Sequence, residues 1–236
     1  MSILTNLTGK LLNQVINKVV GLVFPDWETN NLSSSFFMDA LNANITGFSQ
    51  TTALFGSLAG TDKWFGGVLA PNGKIYGIPN NSTQVLEIDP VAQTTALFGS
   101  LTGTSKWYGG VLAPNGKIYG IPLSATQVLE IDPVAQTTAL FGSLAGIDKW
   151  YGGALAPNGK IYGIPRTSTQ VLEIDPVAQT TALFGSLAGA DKWVGGVLAP
   201  NGKIYGIPRT STQILAISTT QTLDDNFPLS RYVNKF

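Results

Sequence analysis

The sequence predicts an all-β fold built from four similar units. The tryptophans of the units recur every 43 residues, at Trp64, Trp107, Trp150 and Trp193, and the phrase LAPNGKIYGIP recurs with them. None of the units contains a stretch that is free of Gly and Pro, long enough for a helix and patterned with a 3.6-residue period, so strands and turns remain. A fixed period of this length is typical of solenoids, propellers and arrays, in which neighbouring units bury each other's apolar faces.

Four short strands are predicted in each unit. In the first copy they are strand a (64–70, WFGGVLA), strand b (74–79, KIYGIP), strand c (84–89, QVLEID) and strand d (94–99, TTALFG). Strands a and b flank Pro-Asn-Gly, whose Asn-Gly step suits a tight hairpin, and strand c ends at Asp-Pro. Four Gly-punctuated strands with aromatic residues at fixed offsets match one blade of a β-propeller. The four repeats are residues 51–93, 94–136, 137–179 and 180–222, within a propeller domain predicted over 31–222.

The repeat resembles the kelch-type and tachylectin-like propeller repeats. The likeness lies in the double glycine Gly66-Gly67, strand b ending in IYGIP, strand c reading VLEIDP and the Trp before the glycine pair, and it covers residues 51–222. Kelch repeats usually place their double glycine at the end of the second strand, whereas here it opens strand a. The resemblance implies a propeller whose function is recognition more readily than catalysis, and it assigns no binding residue.

Ring closure is predicted from the order of the strands. The repeat region begins with a d strand, Thr51 to Gly56, and ends with a, b and c, so the first d strand could complete the last blade and close four blades. Residues 33–41 read as an additional strand, and the tail 223–236 faintly echoes a d strand. Five blades, or an open arc that another subunit completes, therefore remain alternatives.

The N-terminal segment, residues 1–30, predicts an amphipathic helix followed by a linker. Apolar residues recur at three- and four-residue steps from Ile3 to Phe24, and Pro25 would end the helix. Polar residues in its middle argue against a membrane span, and it lacks the basic start and small-residue cleavage site of a signal peptide. The helix packs on its own propeller or docks a protein partner or a second copy. The residues of the docking stripe are Leu4, Leu7, Leu11, Val15, Ile16, Val19 and Leu22.

Composition excludes several kinds of chemistry. The chain of 236 residues has no Cys and no His, so it offers no disulfide, no Cys/His zinc site and no catalytic unit that needs a thiol or an imidazole. We expect no metal and no cofactor. With 14 basic and 14 acidic residues the formal net charge is zero, which makes nucleic acid an unfavourable partner. The lack of Cys fits either redox compartment, and an extracellular or virion-surface location is the favoured hypothesis.

The four copies differ from one another mainly on one predicted face. Because strands alternate in direction, the d–a and b–c loops emerge on one side of the blades and the a–b and c–d loops on the other. Apart from Ala154 and the divergent end of the fourth copy, the differences lie at the aligned positions that start with Ala59, Thr61, Asp62, Phe65 and the stretch Asn80-Asn81-Ser82. Two explanations of this distribution remain open. Loops tolerate substitutions more readily after a duplication, or the face is a contact surface whose residues were adapted blade by blade.

The same face carries a repeated Asp-Lys-Trp-aromatic cluster, which predicts a ligand site. An aromatic plane with a few fixed hydrogen-bonding groups suits a sugar ring, although a Trp at a fixed place in each blade equally suits a wedge between blades. The candidate ligand-binding residues are Asp62, Lys63, Trp64, Phe65, Asn80, Asn81, Lys106, Trp107, Tyr108, Asp148, Lys149, Trp150, Tyr151, Arg166, Asp191, Lys192, Trp193 and Arg209.

Paired carboxylates on strand c raise the alternative of a glycoside hydrolase. Glu87 and Asp89 recur as Glu130/Asp132 and Glu173/Asp175, while the fourth copy has Ala216 and Ser218. A hairpin would place Lys74 roughly opposite Asp89, and a structural cross-strand ion pair is therefore the preferred interpretation. No catalytic residue is assigned.

The sequence thus predicts a non-enzymatic recognition or adhesion module: a lectin, an adhesin or a viral tail or surface component. It would bind a glycan or another cell-surface ligand through the d–a/b–c face, with the N-terminal helix attaching it to a larger assembly and homo-oligomers possible. The alternative is a structural scaffold or virion shell protein that binds no sugar.

Overall fold

The structure is a computed structural model that describes residues 51–219. These residues form fifteen β-strands in four antiparallel sheets and contain no helix. The first sheet consists of β1 (Trp64–Leu69), β2 (Ile75–Pro79), β3 (Val85–Asp89) and β4 (Thr94–Phe98). The second consists of β5 (Trp107–Leu112), β6 (Ile118–Pro122), β7 (Val128–Asp132) and β8 (Thr137–Phe141). The third consists of β9 (Trp150–Leu155), β10 (Ile161–Pro165), β11 (Val171–Asp175) and β12 (Thr180–Phe184), and the fourth of β13 (Trp193–Leu198), β14 (Ile204–Pro208) and β15 (Leu215–Ile217).

The four sheets are here called blades 1 to 4. Blades 1 to 3 contain the predicted strands a, b, c and d in sequence order, and blade 4 contains a, b and c. The a–b turn forms as the Asn-Gly step predicts: Gly73 has a φ of 79°, and the Asn72 Oδ1 accepts a hydrogen bond from the Lys74 N–H at 3.1 Å. At the c–d turn, the Asp89 Oδ1 accepts hydrogen bonds from the N–H groups of Val91 and Ala92. Each turn residue thus stabilises its own hairpin.

The double glycine has two separate roles in the packing of blades. Strand β1 has one residue more than β2 between the Trp64–Pro79 and Gly67–Gly77 pairs, which is a β-bulge with Gly66 at a φ of 79°. In blade 2 the second glycine, Gly110, receives the Ile78 side chain of blade 1. A methyl group on Gly110 would lie only 2.5 Å from the Cδ1 of Ile78, so the neighbouring blade requires a glycine there.

Each of the three hydrophobic cores lies between two blades. In the first, the forward face of blade 1 (the face toward the next blade) contributes Tyr76, Ile78 and Val85. The rear face of blade 2 (the face toward the preceding blade) contributes Trp107, Ile118, Leu129 and Ile131. The cores between blades 2 and 3 and between blades 3 and 4 use the residues at the equivalent repeat positions. A blade on its own would expose both faces to water, which is why the repeats fold as a row.

The blades form an open arc within residues 51–219, so the predicted closure of the ring by the first d strand is wrong for this structure. Strand β1 packs on β5, β5 on β9 and β9 on β13, but β13 does not pack on β1 in this way. Residues 51–56 form no strand, and the fourth sheet has three strands. The physical reason is that the end of the first d segment lies beside blade 1 and not beside blade 4. A methyl group on Gly56 would lie 3.2 Å from Cγ2 of Thr95 in blade 1, far along the arc from β15.

Several predictions fall outside the described residues. These are the amphipathic helix and linker at 1–30, the additional strand at 33–41 and the tail at 223–236. Among residues 51–219 there is no helix that could cross a membrane.

We expect Gly110→Ala to lower the free energy of unfolding by about 1–3 kcal/mol, because the new methyl group overpacks the core against Ile78. Ile78→Ala alone should cost about 2–5 kcal/mol through the cavity that it leaves. The decrease in the free energy of unfolding of the double variant should be smaller than the sum of the two single decreases, because the new methyl group enters the space that Ile78 vacates. Urea denaturation of the four proteins measures this coupling, and strictly additive losses would contradict the packing described here.

Candidate binding face

The d–a and b–c loops lie together on one side of the arc, as the sequence predicts. The Asn80 N–H donates to the Lys63 carbonyl at 2.8 Å and the Asn81 N–H to the Asp62 carbonyl at 3.1 Å. We call this side the variable face, and the side of the a–b and c–d turns the constant face. The positions that differ between the repeats are therefore neighbours in space.

A left-handed residue shapes each d–a loop. Asp62, Ser105, Asp148 and Asp191 have φ values of 46°, 49°, 52° and 51°. Asp tolerates this conformation better than most non-glycine residues, whereas Ser in the second copy adopts it less readily. The turn directs the following Lys side chain back under the loop rather than out into solvent.

The lysine of the cluster is a buried connector between blades. The Lys106 ammonium donates to the carbonyls of Asn80 and Ser82 in blade 1 at 2.9 and 2.8 Å, and to the carbonyl of Gly103 in its own loop at 2.8 Å. It also lies 5.9 Å from the centre of the Trp107 ring. Burial lowers the pKa of Lys106, and it lowers that of the equivalent Lys149 to about 8. These lysines are held by carbonyl oxygens instead of a carboxylate.

The tryptophans of blades 2 to 4 belong to the cores between blades. Trp107, Trp150 and Trp193 are 3%, 1% and 5% exposed. Their indole N–H groups donate to main-chain carbonyls twenty residues ahead, as Trp107 does to Gln127 at 2.9 Å. Trp64, in blade 1, is partly exposed. The buried tryptophans and the buried lysines Lys106, Lys149 and Lys192 act in packing and have almost no surface to offer a ligand.

The residue after each Trp sits at the β-bulge, which turns its side chain toward the neighbouring blade. Phe65 and Tyr108 contact each other with ring centres 5.0 Å apart, and Tyr108 stacks on Tyr151 at 3.5 Å with an angle of 25° between the planes. The Arg166 guanidinium lies 5.0 Å from the Tyr151 ring centre and covers the end of the stack. Three blades thus contribute to one continuous row of aromatic rings.

An Arg–Asp network continues from that row. Arg166 pairs with Asp148 at 3.0 Å in its own blade and with Asp191 of blade 4 at 2.5 Å, and Arg209 also reaches Asp191 at 3.0 Å. The hydrogen bond from Arg166 lowers the pKa of Asp191. The two carboxylates and Arg209 remain partly exposed, so they can accept and donate hydrogen bonds to a ligand.

Two equivalent cavities open on the variable face. The cavity of blade 1 has a volume of about 320 Å³ and that of blade 2 about 300 Å³. In blade 1 the edge of Trp64, the Thr61, Ser82 and Thr83 side chains and Asn81 line the cavity. In blade 2 the equivalent lining includes Trp107, Thr104, Ser124, Thr126 and Gln127. Both cavities are thus lined by hydroxyl and amide groups, and only in blade 1 is the lining tryptophan partly exposed.

Two of the predicted site residues, Asn80 and Asn81, make contacts between blades. Asn80 is buried, and its side-chain amide donates to the Trp107 carbonyl at 3.2 Å, while the Asn81 Oδ1 accepts from the Ser105 N–H at 2.9 Å. Both therefore link blades. The cavity hydroxyls, such as Thr61 and Ser82, were not among the predicted site residues, although both positions differ between the copies.

The strand-c carboxylates on the constant face form cross-strand ion pairs with lysine, but Lys74 pairs with Glu87 instead of the predicted Asp89. Lys117 pairs with Glu130 at 2.6 Å, and the Tyr119 hydroxyl and the Gln179 amide of blade 3 bond the other oxygen at 3.0 and 2.8 Å. Burial alone would raise the pKa of Glu130, but the hydrogen bonds from Lys117, Gln179 and Tyr119 outweigh it and lower the pKa. Within the described range, no group of three or more acidic residues could hold a metal ion.

Comparison with known proteins supports the propeller architecture. No family model matches the chain, and no curated protein sequence matches it. Its fold is similar to virginiamycin B lyase from Staphylococcus aureus, with a TM-score of 0.53 and 13% identity over 68% of this chain and 57% of that one. A catalytically inactive His-to-Ala variant of that lyase matches with a TM-score of 0.54 and 12% identity, over 70% of this chain and 59% of that one.

Two further structures have the same fold. Hydrazine synthase from Kuenenia stuttgartiensis matches with a TM-score of 0.54 and 14% identity over 71% of this chain and 49% of that one. An auxiliary nutrient binding protein from Bacteroides ovatus matches with a TM-score of 0.52 and 16% identity, over 68% of this chain and 39% of that one. This chain thus matches less than two thirds of each of these proteins. At these identities the likeness shows a propeller built from repeated sheets, and the kelch-type or tachylectin-like assignment stays a prediction.

The Glu87 and Glu130 carboxylates should make stability depend on acid pH. Their pKa values are lowered in the folded chain, so their contribution is present above the unfolded value near 4.5 and is lost as the pH falls through the folded pKa. We expect the free energy of unfolding to decrease less steeply below about pH 5 in the Glu87→Gln/Glu130→Gln variant than in the wild type. Urea denaturation across acid pH tests this. Parallel curves would show that the two carboxylates do not contribute.

Substitution of Trp107 should separate packing from ligand contact. Trp107→Ala should lower the free energy of unfolding by about 3–5 kcal/mol, because it empties the core between blades 1 and 2. Tyr108→Ala should lower the free energy of unfolding clearly less, because Tyr108 lies on the partly exposed aromatic row. Chemical denaturation of both variants gives the comparison, and an unchanged stability of Trp107→Ala would instead favour a role in ligand contact.

Proposed function

We propose that the chain is a non-enzymatic recognition module that binds carbohydrate or another surface ligand through the variable face. The observation that carries this proposal is that the differences between otherwise near-identical repeats gather around two equivalent cavities and one aromatic and Arg–Asp cluster. The packing residues beneath that face are kept constant. A scaffold that holds its core fixed while its surface loops vary is typical of a binding protein.

The chemistry of the cavities suits a small polar ring. Their volumes of about 320 and 300 Å³ lie at the lower end for small-molecule sites. The hydroxyls of Thr61 and Thr83 can exchange hydrogen bonds with sugar hydroxyls, and the partly exposed Trp64 offers apolar surface to C–H groups. Two equivalent weak sites on one rigid arc would add avidity toward a surface that displays many copies of a ligand.

The residues argue against a hydrolase or lyase. The fold of virginiamycin B lyase is similar, but a His-to-Ala change makes that enzyme catalytically inactive, and this sequence has no His. Glu87 and Glu130, one from each of two carboxylate pairs, are engaged by Lys, Tyr and Gln side chains and are buried. The similar fold of a nutrient binding protein is compatible with a binding function.

The remaining parts of the proposal concern attachment and location. The helix predicted for residues 1–30 would dock a protein partner and attach the module to a larger assembly. An extracellular or virion-surface location fits a protein that recognises surface glycans. If no ligand binds, the same arc would serve as a structural scaffold or shell component.

A glycan array with the full chain, at high protein concentration and with calcium present, tests the proposal. We expect binding to a restricted set of glycans. The Thr61→Arg/Thr104→Arg variant should lose at least about tenfold in affinity, because long side chains fill both cavities while the exposed positions leave the core intact.

Val134→Arg is the matched control, since Val134 is equally exposed but lies on the constant face. It should bind like the wild type, and the melting temperatures of all three proteins should agree. Absence of binding to any glycan would remove the carbohydrate proposal and favour the scaffold. Equal loss in the control would count against a site on the variable face, because Val134 lines a cavity on the constant face.

A further inference from the structure

The described arc leaves one forward face and one rear face without a neighbouring blade. Each core between blades joins a forward face to the rear face that follows it, and three such cores exist for four blades. Within residues 51–219, the forward face of blade 4 and the rear face of blade 1 have no such core. These are the two ends of the arc.

The forward face of blade 4 keeps the apolar residues of an interior face but exposes them. Ile207 is 51% exposed, whereas its equivalents Ile78, Ile121 and Ile164 are all 0% exposed. Ile214 is 60% exposed, while Val171 at the same position of blade 3 is 2% exposed. A methyl group on Gly195 would meet no atom of the described residues within 4 Å, although one on Gly152 would lie 3.3 Å from the Cα of Gly195.

The rear face of blade 1 is the matching surface. Gly110, Gly153 and Gly196 each receive an Ile of the preceding blade, but among residues 51–219 a methyl group on Gly67 would meet only Ile75 of its own blade, at 3.4 Å. Leu69, on the same strand, is 62% exposed.

Among the described residues, the lysine of blade 1 has fewer hydrogen-bond acceptors than its equivalents in the other blades. The Lys63 ammonium donates to the Leu58 carbonyl of its own loop. The equivalent Lys192 donates in addition to the carbonyls of Arg166 and Ser168 in the preceding blade, at 3.1 and 2.9 Å. The carbonyls that correspond to these in blade 4 are those of Arg209 and Ser211.

We propose that the two ends join between two copies of this chain, forward face of one to rear face of the other. Ile207 of one copy enters the space over the partner's Gly67, as Ile78 does over Gly110. The Arg209 and Ser211 carbonyls accept hydrogen bonds from the partner's Lys63. Two four-bladed arcs, joined twice by this contact, close a ring of eight blades, which lies within the known range of about four to eight.

The joint between copies differs from the interior ones, because the described part of blade 4 has no d strand and because one polar contact is missing. Interior forward faces carry Glu87, Glu130 or Glu173, and the Gln side chain of the next blade bonds the first two of these. Blade 4 has Ala216 at this position, so the partner's Gln93 finds no carboxylate. The joint keeps the apolar contact and the lysine contact but lacks the third contact, and it should therefore dissociate more readily than the interior blades separate.

A cysteine cross-link tests the joint directly, because the chain has no Cys of its own. In the interior, the Cγ1 of Ile78 would lie 2.8 Å from a Cβ on Gly110, which is the approach that a disulfide needs. Full chains carrying Ile207→Cys and full chains carrying Gly67→Cys are mixed and oxidised. We expect a covalent dimer on a non-reducing gel from the mixture, and much less from either variant alone.

Native mass and a double variant settle the remaining outcomes. Wild-type protein should have the mass of two chains in analytical ultracentrifugation, and Ile207→Glu should have the mass of one. Ile147→Glu, at an exposed loop position, is the control and should keep the mass of two. Monomeric wild type without cross-links would overturn the proposal and indicate that residues outside 51–219 cover the ends. Cross-linking within one chain of Ile207→Cys/Gly67→Cys, or a ladder of higher oligomers, would overturn the ring of two.

Discussion

The packing of one isoleucine over one glycine in the next blade is the contact on which this architecture depends. Ile78 fits over Gly110 because no side chain occupies that place, and Ile121 and Ile164 repeat the contact at Gly153 and Gly196. A blade has no core of its own, so its stability depends on its neighbours. This single constraint explains why the repeats tolerate change in their loops and hardly any in the strand phrases GG and IYGIP.

Polar contacts reinforce the same joints from both sides. On the variable face a buried lysine reaches across to main-chain carbonyls of the preceding blade. On the constant face a Tyr hydroxyl and a Gln amide approach across the joint, as Tyr76 does to the Pro133 carbonyl and Gln136 to Glu87. Among residues 51–219 every buried polar side-chain atom has a hydrogen-bond partner. The joints therefore combine apolar fit with satisfied polar groups, which favours one defined angle between blades.

Much of this could be predicted from local chemistry. The Asn72-Gly73 and Asp89-Pro90 turns, the four strands and the shared side of the d–a and b–c loops follow from residue types and strand alternation. The role of Lys106 could not, since a lysine in a loop is normally exposed and only the fold shows three carbonyls converging on it. The sequence places the candidate site on the d–a and b–c loops, and this assignment stays a prediction. The cavity hydroxyls on those loops could not be singled out, because Ser and Thr in a loop carry no distinctive signal. The ring was misjudged for a related reason. Thr51 to Gly56 is identical to a true d strand, and whether it meets β15 depends on the angle accumulated over three joints.

The near-identity of the joints has an evolutionary consequence. Because every blade presents the same pair of surfaces, a gene that gains or loses one 43-residue segment would still encode compatible neighbours throughout. Copying errors at the DNA level could thus change the number of cavities displayed without requiring any compensating substitution. Each added repeat would bring its own loops to the variable face, while the new joints would be formed by the same pair of surfaces as the existing ones.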